Sequence, residues 1–136
     1  MEGEKINGKE NIMGLFLVII ICLFVQYQGP TKRYIFYNML YDEKVIYELM
    51  DQSISFIDQD GLHIDEIRYD GSKTLLEEKR RKDENNEEII HLYMDISTDF
   101  FGAPSNWGEN MTYKDYEIVF SKNDKGQWEI ISNGYG

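Results

Sequence analysis

From Ile12 to Val25 the chain is apolar at every position except Gly14, and no charge occurs between Asn11 and Thr31. A block with no polar face suits hydrocarbon better than the core of a small domain. A run of fourteen residues falls short of the about 20 that span a bilayer comfortably. Gln26, Tyr27 and Gln28 extend the run to spanning length if they lie among the headgroups, a level that suits Tyr27. A leader peptidase needs small residues one and three positions before its cut, and none is suitably placed. Lipid attachment at Cys22 needs a small residue just before it, where Ile21 is bulky. The segment therefore reads as an uncleaved transmembrane anchor over 12–28, preceded by a polar N-terminal tail (1–11). A linker (29–33) and one α+β domain (34–136) follow it.

Gly29 and Pro30 break the apolar helix. Beyond them, Ile35, Leu40, Tyr47 and Met50 recur near helical spacing, which predicts a helix over 33–50. Tyr34, Tyr37 and Tyr41 form one stripe of it, read as packing surface. Ile54, Phe56, Leu62 and Ile64 suggest short extended segments about a turn at Asp58–Gly61, and 62–71 reads as strand for at least part of its length. The charge-dense stretch 73–88 reads as a solvated connection or a hairpin tip. After it comes the clearest strand, in which Ile90, Leu92, Met94 and Ile96 alternate with His91, Tyr93, Asp95 and Ser97. A Gly- and Pro-containing loop leads to a β-hairpin. Tyr116, Ile118 and Phe120 share one face of its first strand, "KNDKG" makes the turn, and Trp128 and Ile130 align on the second.

Charge narrows the partners. Of the 136 residues, those from Tyr34 onward carry ten Lys/Arg against 22 Asp/Glu, a net of −12. So acidic a domain repels phosphate backbones, which argues against nucleic acid, and it repels anionic headgroups. Around the apolar run, Lys5 and Lys9 are diluted by Glu2, Glu4 and Glu10, while Lys32 and Arg33 stand at the far edge. The positive-inside rule leaves orientation undecided, leaning slightly toward a C-terminal domain inside. Cys22 is the only cysteine, so the domain has no disulfide, thiol nucleophile or cysteine metal ligand.

The last third of the chain carries a resemblance. A long strand, a loop holding Trp107, the strand "YEIVF", a polar turn and the ending "GQWEIISNGYG" resemble the end of a nuclear-transport-factor-2-like (cystatin-like) domain, over roughly residues 62–136. The resemblance is to small extracytoplasmic versions in Gram-positive bacteria. It implies helices packed into the concave side of a curved antiparallel sheet, a cone that the short helical region here leaves truncated. It also implies a final strand contributing Trp128, a Gly134-Tyr135 ending, and display outside the cell. The family includes lyases, isomerases and non-catalytic binding modules, so fold does not select an activity.

No catalytic motif stands out. His63 lies near Asp65, and His91 lies near Asp95 in sequence. Residues i and i+4 of a strand are roughly 13 Å apart, so His91 and Asp95 cannot pair. Both are expected on solvated surface opposite the apolar face. Asp58–Gly61 resembles the start of a calcium loop, but Phe56 and Ile67 occupy the first and twelfth ligand positions; an ordinary acidic turn is expected over a looser site with Asp65. Asn110-Met111-Thr112 matches a glycosylation sequon. Tyr93, Tyr116 and Trp128 are the polar candidates for a ligand pocket. No metal, cofactor or catalytic residue is expected. The expected function is that of a membrane-anchored, non-catalytic binding or accessory domain. The alternatives are a small lyase or isomerase using the sheet's concavity, and a regulatory or immunity-type subunit with a protein partner.

Overall fold

The structure, a computed structural model, describes the backbone of residues 2–26 and 29–135 and the side chains of residues 8–21 and 29–135. The chain is α+β, with helices on a five-stranded mixed sheet. A first helix, α1 (Glu2–Gln26), carries the polar tail and the apolar run. Its side chains from Gly8 to Ile21 are all exposed. Among the described residues, no helix is long and apolar enough to cross a membrane. Residues 27 and 28 of the expected anchor, and the side chains of 22–26, lie outside the described residues.

The strands run in sequence order across the sheet: β1 (Lys32–Phe36), β2 (Leu62–Asp70), β3 (Ile89–Thr98), β4 (Thr112–Lys122) and β5 (Trp128–Gly134). β2 to β5 pair antiparallel, but β1 pairs parallel with β2, from Lys32↔Glu66 to Phe36↔Asp70. The expected all-antiparallel sheet is thus mixed, because β1 reaches β2 through an intervening helix, the connection that parallel neighbours need.

The helix expected over 33–50 divides. Lys32–Phe36 is strand, and α2 (Glu43–Ile57) begins only at Asp42, whose carboxylate caps the Lys44 N–H at 2.9 Å. The run Tyr-Ile-Phe-Tyr is β-prone, and pairing with β2 outweighs its coincidental helical spacing. Residues 53–57, expected to be extended, continue α2. Ile46, Leu49, Met50, Ser53 and Ile57 form its buried face, at the three- and four-residue spacing of one helical stripe.

The charge-dense stretch is a third helix, α3 (Gly71–Asn85), rather than a connection or hairpin tip. Asp70 caps the Ser72 N–H at 3.0 Å, and left-handed Asn86 closes the other end. Glu77 meets Arg80 at 2.9 Å and Arg81 at 3.0 Å, and Arg80 meets Glu84 at 2.8 Å, the intrahelical spacings that support an exposed helix. Its buried residues are Gly71, Thr74 and Glu78, none of them a large apolar marker. The Glu78 side chain accepts the Tyr69 hydroxyl at 2.7 Å and the His91 N–H at 3.2 Å, beyond the last β2–β3 pair. α3 thereby satisfies a ladder donor that β2 leaves open.

The core lies between α2 and one face of the sheet. Ile64, Ile67 and Tyr69 of β2, Leu92, Met94 and Ile96 of β3, and Ile118 and Phe120 of β4 meet the α2 stripe there. The strand expected about Ile90–Ile96 and the β4–β5 hairpin both form with the apolar faces expected of them. Asp58 caps the end of α2, and Asp60 and Gly61 turn the chain into β2.

Candidate functional site

The second face of the sheet carries the charged side chains, and two irregularities order them. Ile64 pairs with Ile96 and Glu66 with Asp95, so Asp65 is an extra residue in β2. Met94 pairs with Tyr116 and Ile96 with Tyr113, so Lys114 and Asp115 together face Asp95. Asp95 on the central strand thus has a β-bulge in each neighbour. Bulges re-aim side chains and break the flat alternation of a sheet. Asp115 lies at φ 56°, in the left-handed region that non-glycine residues seldom occupy. That conformation aims its carboxylate at Arg68 and its N–H at Asp95, the latter at 3.1 Å.

Asp95 is the centre of the resulting network. Arg68 Nη1 lies 3.2 Å from its Oδ1, and Lys114 Nζ lies 3.4 Å from its Oδ2. The Arg68 and Asp95 side chains are only 14% and 11% exposed, which makes this a largely buried pair. Arg68 also lies 3.7 Å from Glu66 and bonds Asp115, and Lys73 of α3 reaches Asp115 at 3.6 Å. Burial alone works to raise the Asp95 pKa. The Asp115 N–H, Arg68 and Lys114 together outweigh it and hold the carboxyl below its usual range.

Beside this network a cleft of about 330 Å³ opens, lined by Gly29, Pro30, Lys32, His63, Asp65, Glu66, Asp95 and Lys114. His63 Nε2 lies 3.7 Å from Asp65, whose other oxygen accepts the Ser97 hydroxyl. The cleft therefore has cationic groups at Lys32 and Lys114 and carboxylates at Asp65 and Glu66. Among the described residues, no group of three or more His, Cys, Asp or Glu side chains is arranged to hold a metal ion.

The three residues expected to mark a pocket do not come together. Tyr93 stands on the charged face, with Lys73 Nζ 5.0 Å from its ring centre. Its hydroxyl pKa is raised by burial and by Glu117. Tyr116 and Trp128 pack against the core on the opposite face. The Tyr116 ring lies 5.7 Å from Trp107, and Trp128 meets Tyr41 edge-on at 6.1 Å. His91 and Asp95 do lie opposite the apolar face, but Asp95 is buried rather than solvated. The His91 ring is 16% exposed, lies 3.6 Å from Glu117, and has neither nitrogen hydrogen-bonded.

Sequence reasoning passed over Arg68, Glu66, Lys114 and Asp115. The bulges that gather them do leave a trace. Core positions in β2 run Leu62, Ile64, then Ile67 and Tyr69, and in β4 they run Tyr113, Tyr116, Ile118 and Phe120. Each series contains one step of three where strict alternation requires two. Comparison with family models, curated proteins and solved structures finds no match for this chain.

Proposed function

We propose that the chain is a membrane-tethered, non-catalytic binding domain whose charged cleft takes a small polar ligand bearing both a positive and a negative group. The doubly bulged surround of Asp95 carries this reading. The two strands that flank β3 each depart from regular pairing at the level of Asp95, and the departure arranges separated cations and carboxylates about one cleft. Backbone irregularity and non-glycine left-handed geometry concentrate where side chains must be aimed. The cleft's volume suits a ligand of amino-acid size, and its charged lining disfavours an apolar one.

A binding role is favoured over catalysis by the state of the acids. A general base works best near the operating pH, whereas Asp95 is held low with both oxygens engaged. Glu78, the buried acid on the helix side, has both oxygens committed to Tyr69 and His91. Tethering rests on the exposed apolar surface of Ile12–Ile21, which no part of the described structure covers. With α2 packed on one face of the sheet and a β-hairpin closing it, the proposal keeps the nuclear-transport-factor-2-like relationship and, with it, a domain displayed outside the cell. Calorimetric titration of the full chain in detergent micelles with free amino acids and dipeptides tests the ligand class. Binding that E66Q and K114Q each weaken is expected. Absence of binding across both sets would overturn it.

A further inference from the structure

The loop between β3 and β4 (residues 99–111) exposes two adjacent phenylalanines, Phe100 at 54% and Phe101 at 76%, and Met111 at its other end at 48%. The two rings touch edge-on at 5.5 Å and pack against each other rather than into the core. The loop's base is firmly closed. The Asn110 N–H donates to the Asp99 carbonyl at 2.8 Å, and the Thr98 N–H donates to the Met111 carbonyl at 2.9 Å. The Asp99 N–H donates to the Gly61 carbonyl at 2.9 Å. Gly61 sits so close to the loop that an added Cβ would lie 2.4 Å from the Gly102 carbonyl oxygen. The aromatic tip is therefore held out by a fixed base.

Its position in the fold says what it faces. Lys32 pairs with Glu66 and Leu62 with Thr98, while Thr112 pairs with Ser97. The start of β1, the start of β2 and the 99–111 loop thus share one end of the sheet. Thr31, whose hydroxyl donates to the Ile64 carbonyl at 2.7 Å, fixes the chain's entry at that same end. Only five residues, and so six Cα-to-Cα steps, separate Val25, the end of the apolar run, from Thr31. Fully extended, they reach at most about 20 Å. The end bearing Phe100 and Phe101 is consequently held close to wherever the apolar run is buried. Tyr37 and Met39 are as exposed, but they follow β1 and lie at the other end.

Resting on the tethered reading, we infer that Phe100 and Phe101 form a second membrane contact, entering the interfacial layer of the bilayer that holds residues 12–28 and fixing the domain's tilt. Phenylalanine is among the side chains that bury into the boundary between headgroups and acyl chains. The loop has Asp99 and Glu109 and no cationic residue, so the lipid it fits is zwitterionic rather than anionic. The part of the cleft lined by Gly29 and Pro30 would then lie beside the headgroups.

Two tryptophans report on the two ends. Trp107 lies in the loop, against Tyr113 at 5.0 Å, and Trp128 pairs with Lys122 at the far end of β4. The full chain is reconstituted into phosphatidylcholine vesicles containing brominated lipid, as W128F (reporting Trp107) and as W107F (reporting Trp128). Trp107 is expected to be quenched at least about twofold more than Trp128, because some ten strand residues, about 30 Å, separate the two ends. Adding F100S and F101S to W128F should remove most of that difference while the chain still floats with the vesicles. Because both phenylalanines are exposed, this variant keeps its core, which far-UV circular dichroism verifies. A chain that floats but shows equal quenching at both tryptophans overturns the loop contact and leaves the tether standing. A wild-type chain that fails to float with the vesicles overturns both.

Discussion

The two faces of the sheet are built by different rules. On the helix side, regular alternation delivers Leu92, Met94, Ile96, Ile118 and Phe120 to a closed apolar core. On the other side, two interruptions of that alternation deliver Asp65, Glu66, Arg68, Lys114 and Asp115 to the neighbourhood of Asp95. The first face needs only apolar volume, because the hydrophobic effect has no direction. The second needs each charge matched in place, since a buried ion without its partner is costly. The same three strands therefore hold one face that tolerates conservative exchange and one that does not.

That contrast has measurable edges. Truncating the apolar face should have the largest effect. Phe120→Ala, at a fully buried position, is expected to lose about 3–5 kcal/mol in chemical denaturation. Phe120→Leu should recover most of it. Arg68→Ala comes next, at about 3 kcal/mol, because it strands the buried Asp95 carboxylate. Here the conservative rule fails, so Arg68→Met should cost nearly as much, whereas the double change Arg68→Met/Asp95→Leu should recover a large part. If Arg68→Met alone leaves stability unchanged, the charged face is ordinary surface and the contrast collapses.

Glu78 tests the boundary between the faces. Glu78→Ala withdraws the acceptor from the Tyr69 hydroxyl and the His91 N–H, for an expected loss of about 2 kcal/mol. Amide exchange at His91 should accelerate selectively. The smallest effect is one of pH. The Asp95 carboxyl titrates lower folded than unfolded, so its contribution is full above its unfolded value of about 3.9 and disappears as pH falls through the folded value. Stability should drop on acidification through that window, and D95N should show a shallower drop. An equal slope in the two proteins would mean that Asp95 is not linked to folding.

Much of the first face was legible and little of the second. The alternation from Ile90 to Ile96 and the β4–β5 hairpin are local patterns, readable because a strand's period is two and a turn has its own chemistry. α3 was not legible. Its buried stripe is Gly71, Thr74 and Glu78, which no apolar periodicity reveals, and its charges resemble those of a solvated loop. β1 escapes a local reading because Tyr34, inside the five-residue strand, stands at helical spacing from Tyr37 and Tyr41 beyond it, and only β2 beside the strand decides between the two. The pocket expected from Tyr93, Tyr116 and Trp128 failed for a related reason. Residue type suggests a polar aromatic cluster, but strand parity places Tyr93 on one face and the other two on the opposite one.

The amino-acid sequence by itself determined the chain's division into an apolar N-terminal run and an acidic α+β domain, the identity of the central strand, and the closing hairpin. Those follow from composition and from short-range periodicity. Tertiary structure decided the parallel placement of β1, the helix at 71–85, and the meeting of Asp95 with Arg68 and Lys114. A bulge is one extra residue, and it becomes a site only when the register of the next strand shows what that residue faces.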